Sequence, residues 1–181
     1  MAAARRQVTE AVHTAEANAI AARIADLSEP GDTVCAYVPI GTEPGSVAML
    51  DALHSKAARV LLPIARKSDD GTPLPLAWAE YHPGRLVRAQ LGLLEPAGPV
   101  LPPDTLARAR VVFVPALAAD RRGVRLGRGA GFYDRSLPLA VPSARFVVIV
   151  RDQELLDEIP AEEHDVRMTD VLTPSGVITV R

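Results

Sequence analysis

Glycine and arginine alternate in one stretch of the 181-residue chain, at residues 120–135. Glycine lets the backbone approach a ligand without a Cβ collision and turns successive N–H groups toward it. Arginine adds planar, bidentate donors that suit phosphate oxygens. The residues concerned are Gly123, Gly127, Gly129, Gly131, Arg121, Arg122, Arg125, Arg128 and Arg135. With five arginines and one acid, Asp134, residues 121–135 carry a local charge of +4 in a chain of net charge −2, which predicts a binding site for a phosphorylated ligand.

The spacing in this stretch excludes two common phosphate-binding loops. A GKS/T sequence is absent, so the stretch is not a Walker loop, and its alternating glycines lack the wider gap of GxGxxG. A flexible, solvated loop is the remaining alternative. Phe132, Tyr133 and Leu137 argue against it, because these side chains would anchor the segment to a core. A helix that begins near Phe132 would also direct its N-terminal dipole at the ligand.

The elements that must position this loop alternate between helices and strands. Helical spacing or caps predict helices at 8–27, 47–58, 153–159 and, more briefly, from Phe132 onward; Ser46 is the expected N-cap of the second. Apolar runs predict strands at 33–40, 59–64, 110–115 and 145–150, an exposed or edge strand at 76–81, a packed irregular crossing at 82–103, and a final strand pair at 170–172 and 176–180. This order predicts a single domain, residues 1–181, with an α/β fold: a three-layer α/β/α sandwich with a mainly parallel, Rossmann-like sheet. Ligands gather beyond the carboxyl ends of such strands, so the loops after Pro39 and Pro115 are the expected site.

The composition excludes several classes of protein. A net charge of −2 argues against a general nucleic-acid binder. No apolar run reaches the roughly 18 residues that a membrane span needs. The four histidines are scattered, which argues against a structural zinc site. The single cysteine, Cys35, lies between apolar neighbours, so we expect a buried thiol in a cytoplasmic protein.

A longer pattern around the loop resembles a known signature. Asp120-x-x-Gly123-x-Arg125-Leu126-Gly127-x-Gly129-x-Gly131-Phe132-Tyr133-Asp134-Arg135-x-Leu137 resembles that of the 5-formyltetrahydrofolate cyclo-ligase family, also called 5,10-methenyltetrahydrofolate synthetase. The shorter segments 41–44, 92–96 and 163–165 follow in the family's order, and the resemblance spans about residues 34–173. It implies conversion of 5-formyltetrahydrofolate to 5,10-methenyltetrahydrofolate, with ATP as co-substrate and Mg²⁺ as cofactor. The implied partners are these small molecules, with no nucleic acid and no membrane, and a monomer is expected.

The resemblance also implies roles for individual residues. Those expected to bind ATP are Arg125, Leu126, Gly127, Arg128, Gly129, Ala130, Gly131, Phe132 and Tyr133. Those expected to bind the folate are Val38, Glu43, Arg128, Gly129, Ala130, Gly131 and Phe132. Arg128 and Tyr133 are the expected catalytic residues, with Arg128 stabilising charge on the transferred phosphoryl group. Asp134 and Asp165 are the expected magnesium ligands.

Each of these side chains also has a structural interpretation. As an alternative to the magnesium role, Asp134 would complement the dipole of a short helix, and Asp165 would lie in a solvated acidic turn. Glu43 precedes a proline and fits an exposed turn. Val38 and Tyr133 fit core packing.

The chain departs from the family at its N-terminus. Family members usually begin with a basic helix of the K-x-x-x-R type that reaches the ATP phosphates, whereas Arg5 and Arg6 match residues further down that helix. We therefore expect a shortened N-terminal helix. Two alternatives to the enzyme stay open at this point: a non-catalytic folate- or nucleotide-binding relative, and another α/β enzyme such as a sugar-phosphate isomerase. Two metal carboxylates favour the cyclo-ligase, because a monophosphate isomerase does not need them.

Overall fold

A seven-stranded sheet forms the centre of the computed structural model, which describes residues 2–57, 59–89, 92–162 and 165–180. Its strands are β1 (Thr33–Cys35), β2 (Arg59–Ile64), β3 (Ala77–Glu80), β6 (Val111–Pro115), β9 (Arg145–Ile149), β11 (Asp170–Thr173) and β12 (Gly176–Thr179). Their spatial order is β12-β11-β9-β6-β1-β2-β3. The inner five strands are parallel, and the two edge strands pair antiparallel. The predicted α/β architecture with a mainly parallel sheet is therefore confirmed.

Continuous apolar sequence produces the inner strands. In β6, the side chains of residues 111–114 are all buried, as are those of residues 147–149 in β9. A parallel sheet needs apolar residues at successive positions because layers cover both of its faces. β3 lies at the sheet edge as expected, but Trp78 and Ala79 are buried rather than exposed.

One face of the sheet is covered by two helices. α2 (Glu10–Ile24) begins after its N-cap Thr9 and continues as a 3-10 turn, Ala25–Leu27, while α3 (Val47–His54) begins after the predicted cap Ser46. Both helices pack their apolar side chains against the sheet to form one core. The helices contribute Ile20, Ile24, Met49, Leu50 and Leu53, and the sheet contributes Val34, Phe113 and Val147. A four-residue helix, α1 (Ala2–Arg5), precedes them.

The opposite face is covered by short segments. These are the 3-10 helices Pro103–Arg108 and Leu137–Leu139 and the helix α4 (Phe132–Ser136), which begins where the sequence predicts. Leu106 and Leu137 pack there against Trp78 and the second faces of β6 and β9. No helix of the described residues is long and apolar enough to cross a membrane.

Two smaller sheets complete the fold and correct two predictions. β4 (Leu86–Arg88) and β5 (Leu94–Pro96) form a hairpin inside the predicted irregular crossing. β7 (Ala118–Asp120), β8 (Arg125–Leu126) and β10 (Leu155–Leu156) form a sheet in the order β10-β7-β8. The helix predicted at 153–159 is wrong: a 3-10 turn, Asp152–Glu154, leads into β10, which pairs with β7. The strand predicted at 33–40 ends at Cys35, which is buried as expected.

Candidate functional site

A cleft of about 750 Å³ opens beyond the carboxyl ends of β1 and β6. The loops after these strands supply Tyr37, Val38 and Glu43 on one side, and Pro115 and Ala116 at the base. The Gly/Arg loop and the segment near Asp165 form the other wall. Every residue assigned a role from the sequence lines this cleft: Val38, Glu43, Arg125, Leu126, Gly127, Arg128, Gly129, Ala130, Gly131, Phe132, Tyr133, Asp134 and Asp165. The structure thus brings together residues that lie up to 127 positions apart (38 to 165) in the chain.

The base of the Gly/Arg loop is fixed by the buried carboxylate of Asp120. It accepts hydrogen bonds from the backbone N–H groups of Arg122 and Val124, each at 2.9 Å, and of Ile159 at 3.0 Å. Burial alone would raise the pKa of Asp120, but these donors and the Arg122 guanidinium hold that pKa below its ordinary value. Gly123 is required next to it, because its φ is +81° and a Cβ there would lie 2.4 Å from the Met168 carbonyl oxygen.

The middle of the loop forms an open backbone cradle. At Gly129, where φ is +81°, a Cβ would meet nothing within 4 Å, so the space above the backbone is free for a ligand. Gly131, with φ +74°, caps α4 in the left-handed conformation. Arg135 donates to its carbonyl at 3.0 Å and thereby closes the end of the loop.

Arg125 joins the two segments that form one wall of the cleft, the Gly/Arg loop and the segment near Asp165. Its side chain is only 6% exposed, and it donates to the Val166 carbonyl at 2.9 Å and pairs with Asp134. Burial lowers the pKa of the Arg125 guanidinium, while the carboxylates of Asp134 and Asp165 oppose that shift. The side chain therefore brings a buried positive charge to the place where both predicted metal ligands lie.

Arg128 reaches across the cleft from the Gly/Arg loop to Glu43. Its Nη2 lies 3.1 Å from Oε1 of Glu43, and its side chain is half exposed, whereas that of Glu43 is buried. The second carboxylate oxygen of Glu43 accepts the Ile40 backbone N–H at 2.9 Å, which fixes its orientation. Glu43 is therefore not the exposed turn acid of the alternative interpretation.

A cluster of buried charged side chains supports the loop that carries Glu43. Arg151 donates to the Thr42 carbonyl at 2.9 Å and to Glu16 at 2.7 Å. Glu154 accepts from Arg5 at 2.6 and 2.7 Å and from the backbone N–H of Arg151 at 2.9 Å. We refer to Arg5, Glu16, Arg151 and Glu154 as the buried cluster. Of the two N-terminal arginines, Arg5 is buried there and Arg6 is exposed, and neither lines the cleft.

Two carboxylates line the cleft at the wall that contains the Gly/Arg loop. Asp134 is half exposed, and Asp165 is partly buried and accepts the Glu162 backbone N–H at 2.9 Å. Within the described ranges, no group of three or more His, Cys, Asp or Glu side chains is arranged to hold a metal ion. Such a pair suits Mg²⁺, which uses one or two carboxylates together with substrate phosphates and water. His164 and Glu163 of the short motif lie outside the described residues.

Sequence reasoning missed Tyr37, whose side chain is 3% exposed and whose ring lines the cleft beside Val38. It also missed the apolar residues Ile40 and Leu94 at the mouth of the cleft, both exposed. The continuous apolar run that follows Thr33 made Tyr37 and Ile40 indistinguishable from core residues. The turn at Gly41 was the signal that the run leaves the sheet.

Comparisons with known proteins show which proteins this chain is similar to. Residues 1–174 match the 5-formyltetrahydrofolate cyclo-ligase family. The chain is 57% identical, over 98% of its length and 92% of the relative's, to the 5-formyltetrahydrofolate cyclo-ligase of Mycolicibacterium smegmatis. Its fold is similar to that of Aquifex aeolicus 5,10-methenyltetrahydrofolate synthetase, with a TM-score of 0.71, 22% identity, and coverage of 98% of this chain and 87% of that one. The corresponding synthetase of Mycoplasma pneumoniae gives a TM-score of 0.68 at 18% identity, covering 92% and 90%.

Proposed function

Because the chain belongs to the 5-formyltetrahydrofolate cyclo-ligase family, we propose that its cleft joins ATP and 5-formyltetrahydrofolate with the help of Mg²⁺. The products are 5,10-methenyltetrahydrofolate, ADP and phosphate. One observation carries this proposal: the Arg128–Glu43 ion pair, at 3.1 Å, links a glycine cradle suited to phosphate with a buried carboxylate suited to a pterin. A single cleft thus offers groups suited to both substrates.

The glycine cradle is the proposed ATP site. Backbone N–H groups of residues 127–131 and the guanidinium groups of Arg125 and Arg128 would contact the triphosphate, and the chain there leaves open space for it. Leu126, Ala130, Phe132 and Tyr133 complete the lining. Arg128 is the proposed catalytic cation because it is half exposed and reaches across the cleft.

Glu43 is the proposed anchor for the pterin. Its carboxylate is oriented by the Ile40 N–H and buried, so ring N–H groups would meet a fixed, desolvated acceptor. Val38 lies beside it and supplies an apolar contact for the flat ring. The Arg128 side chain would leave Glu43 when the substrates bind, since each partner then has a ligand group to contact.

Asp134 and Asp165 are the proposed magnesium ligands. Both line the cleft at the wall where the triphosphate would lie, and two carboxylates with phosphate oxygens form a donor set that Mg²⁺ prefers. The bound ion would neutralise charge on the phosphate oxygens. Arg125 already pairs with Asp134 and would hold this carboxylate in place.

The proposed chemistry activates a poor leaving group. The formyl oxygen attacks the γ-phosphorus of ATP and ADP leaves, so the oxygen becomes part of a phosphate ester. N10 then attacks the formyl carbon, loses its proton, and the phosphate departs with the former formyl oxygen. The protein contributes positioning and charge neutralisation, which dominate phosphoryl transfer. Tyr133 is the second proposed catalytic residue, since it lines the cleft next to the proposed phosphate-binding backbone.

We also propose that the protein acts as a cytoplasmic monomer. The single cysteine is buried and free, which suits a reducing compartment. Sedimentation velocity at micromolar concentration tests the monomer.

The near-ultraviolet absorbance of the methenyl product tests the proposed function. Protein, 5-formyltetrahydrofolate, ATP and Mg²⁺ together should produce that absorbance, and omission of any one component should abolish it. Asp134→Asn should raise the Mg²⁺ concentration needed for half-maximal rate. Binding of both substrates without product formation would instead indicate a non-catalytic binding protein.

A further inference from the structure

Three unpartnered polar atoms belong to residues that interact electrostatically with Glu43. In the described part of the chain, four buried side-chain nitrogen or oxygen atoms have no hydrogen-bond partner: Arg5 Nη1, Tyr37 Oη, Trp78 Nε1 and Tyr133 Oη. Buried polar groups are nearly always paired, so each exception requires an explanation. Tyr37 interacts electrostatically with Glu43, Tyr133 and Arg5, which places three of the four exceptions in one neighbourhood. Trp78 does not line the cleft.

Both tyrosines line the cleft, while their hydroxyl oxygens are buried. Burial, reinforced by the Glu43 carboxylate, raises the pKa of each phenol, so both hydroxyls are protonated donors. The wall of the cleft therefore holds two neutral donors that have no partner in the ligand-free protein, together with the anionic acceptor Glu43.

We propose that the Tyr37 hydroxyl is a substrate-recognition group that donates a hydrogen bond to the pterin carbonyl oxygen of the reduced folate. The proposal rests on the proposed function, since it takes 5-formyltetrahydrofolate as the ligand. The polar edge of a pterin carries a carbonyl acceptor beside N–H donors. A carboxylate satisfies the donors and leaves the carbonyl unpaired, so an adjacent hydroxyl completes the match.

The unpaired Tyr37 hydroxyl lowers the stability of the ligand-free protein. A buried hydroxyl without a partner destabilises the fold, whereas the same hydroxyl strengthens binding once a ligand oxygen accepts its proton. Removal of the oxygen atom should therefore have opposite effects on stability and on affinity. If the tyrosine hydroxyl instead stabilised the fold, its removal would lower the stability of the protein and leave the affinity for the ligand unchanged.

Tyr37→Phe tests this, because it deletes the oxygen and keeps the ring. We expect the Kd for 5-formyltetrahydrofolate, measured by calorimetry without ATP, to rise about five- to tenfold. The KM for the folate should rise by a similar factor, with the KM for ATP unchanged. The thermal midpoint of the ligand-free protein should stay equal or rise.

Tyr81→Phe is the matched control. The Tyr81 hydroxyl donates to Asp51 at 2.6 Å, and the side chain is buried outside the cleft. Its loss should lower the thermal midpoint and leave both KM values unchanged. An unchanged Kd in Tyr37→Phe, or a fall in its thermal midpoint with equal losses for ATP and folate, overturns the recognition role.

Wild-type turnover separates the two proposals. If the wild-type protein forms the methenyl product while Tyr37→Phe retains its Kd, only the recognition role fails. If the wild-type protein binds the folate without turnover, the proposed reaction fails while the Kd comparison still decides the role of Tyr37. Absence of any folate binding by the wild-type protein overturns both.

Discussion

The buried cluster and the charges of the cleft both contact the Glu43 loop, through Arg151 at the Thr42 carbonyl and through Arg128 at Glu43. In the buried cluster, Arg5 and Arg151 are 2% and 0% exposed, and each guanidinium makes several hydrogen bonds to carboxylates and carbonyls. In the cleft, Arg128 is half exposed and meets Glu43 in an ion pair, and Asp134 is half exposed beside Arg125. Hydrogen bonds within the protein hold the first group, although Arg5 Nη1 has no partner among the described residues, and the second group is open to a ligand.

The difference separates a support from a binding surface. A buried charge that loses its partner is costly to leave behind, so the buried cluster holds one arrangement. A half-exposed ion pair contributes little, so the cleft charges exchange partners cheaply when a ligand arrives. Arg151 connects the two, because it holds the Thr42 carbonyl next to Glu43. Four substitutions test this contrast, from the largest expected effect to the smallest.

Glu154→Gln should cause the largest loss of stability. The carboxylate accepts from Arg5 at 2.6 and 2.7 Å, and the neutral amide would leave that guanidinium buried without its counter-charge. We expect the free energy of unfolding to fall by about 3–5 kcal/mol, measured by urea denaturation with Trp78 fluorescence. Glu80→Gln removes a half-exposed partner of Arg59 and should cost at most about 1 kcal/mol. Equal losses in both variants would remove the distinction.

Arg128→Ala should cause the largest loss of catalysis without a loss of stability. If this cation stabilises charge on the transferred phosphoryl group, kcat should fall about 100- to 1000-fold. The free energy of unfolding should change by less than about 1 kcal/mol, because the Arg128 side chain is half exposed. Arg121 is exposed at the base of the same loop and does not line the cleft, so Arg121→Ala should retain the wild-type kcat. A similar kcat in the two variants would contradict the role of Arg128.

Asp120→Asn should produce a loss of stability that depends on pH. The lowered pKa of Asp120 means that its contribution is present above the ordinary value of 3.8 and is lost as the pH falls through the lowered pKa. We expect a deficit of about 2 kcal/mol at pH 7, because the amide presents a donor to backbone N–H groups. The gap between variant and wild type should narrow in urea titrations below pH 3.8. A gap of constant size would indicate that the charge of Asp120 is not involved.

Local patterns predicted most of the fold. The strands around β6 and β9 carry their own signal because buried parallel strands are apolar at successive positions. Residues 153–159 were misassigned because Leu155, Leu156 and Ile159 also fit one face of a helix. Pairing of β10 with β7 decides their conformation, and that contact is a tertiary one.

The Gly/Arg loop was predictable, whereas its support was not. The chemistry of glycine and arginine at fixed spacing is visible in the local sequence, and residues 125–134 of the loop line the cleft. Arg5 and Glu154 are 149 residues apart, and Arg151 and Glu16 are 135 apart, so no sequence window contains either pair. Tyr37 was hidden for another reason: only the absence of a partner among the described residues distinguishes it from a core aromatic.

Glu43→Gln should have the smallest effect and is the sharpest test of the contrast with Glu154. The amide oxygen still accepts the Ile40 N–H, so the loop conformation should persist. Loss of the charge should raise the KM for 5-formyltetrahydrofolate about tenfold, since a charge-assisted hydrogen bond to the pterin becomes a neutral one. The KM for ATP should not rise, because Arg128 is released rather than lost. If the free energy of unfolding fell as much as in Glu154→Gln, the cleft charges would be stabilising the fold instead of serving to bind the substrate.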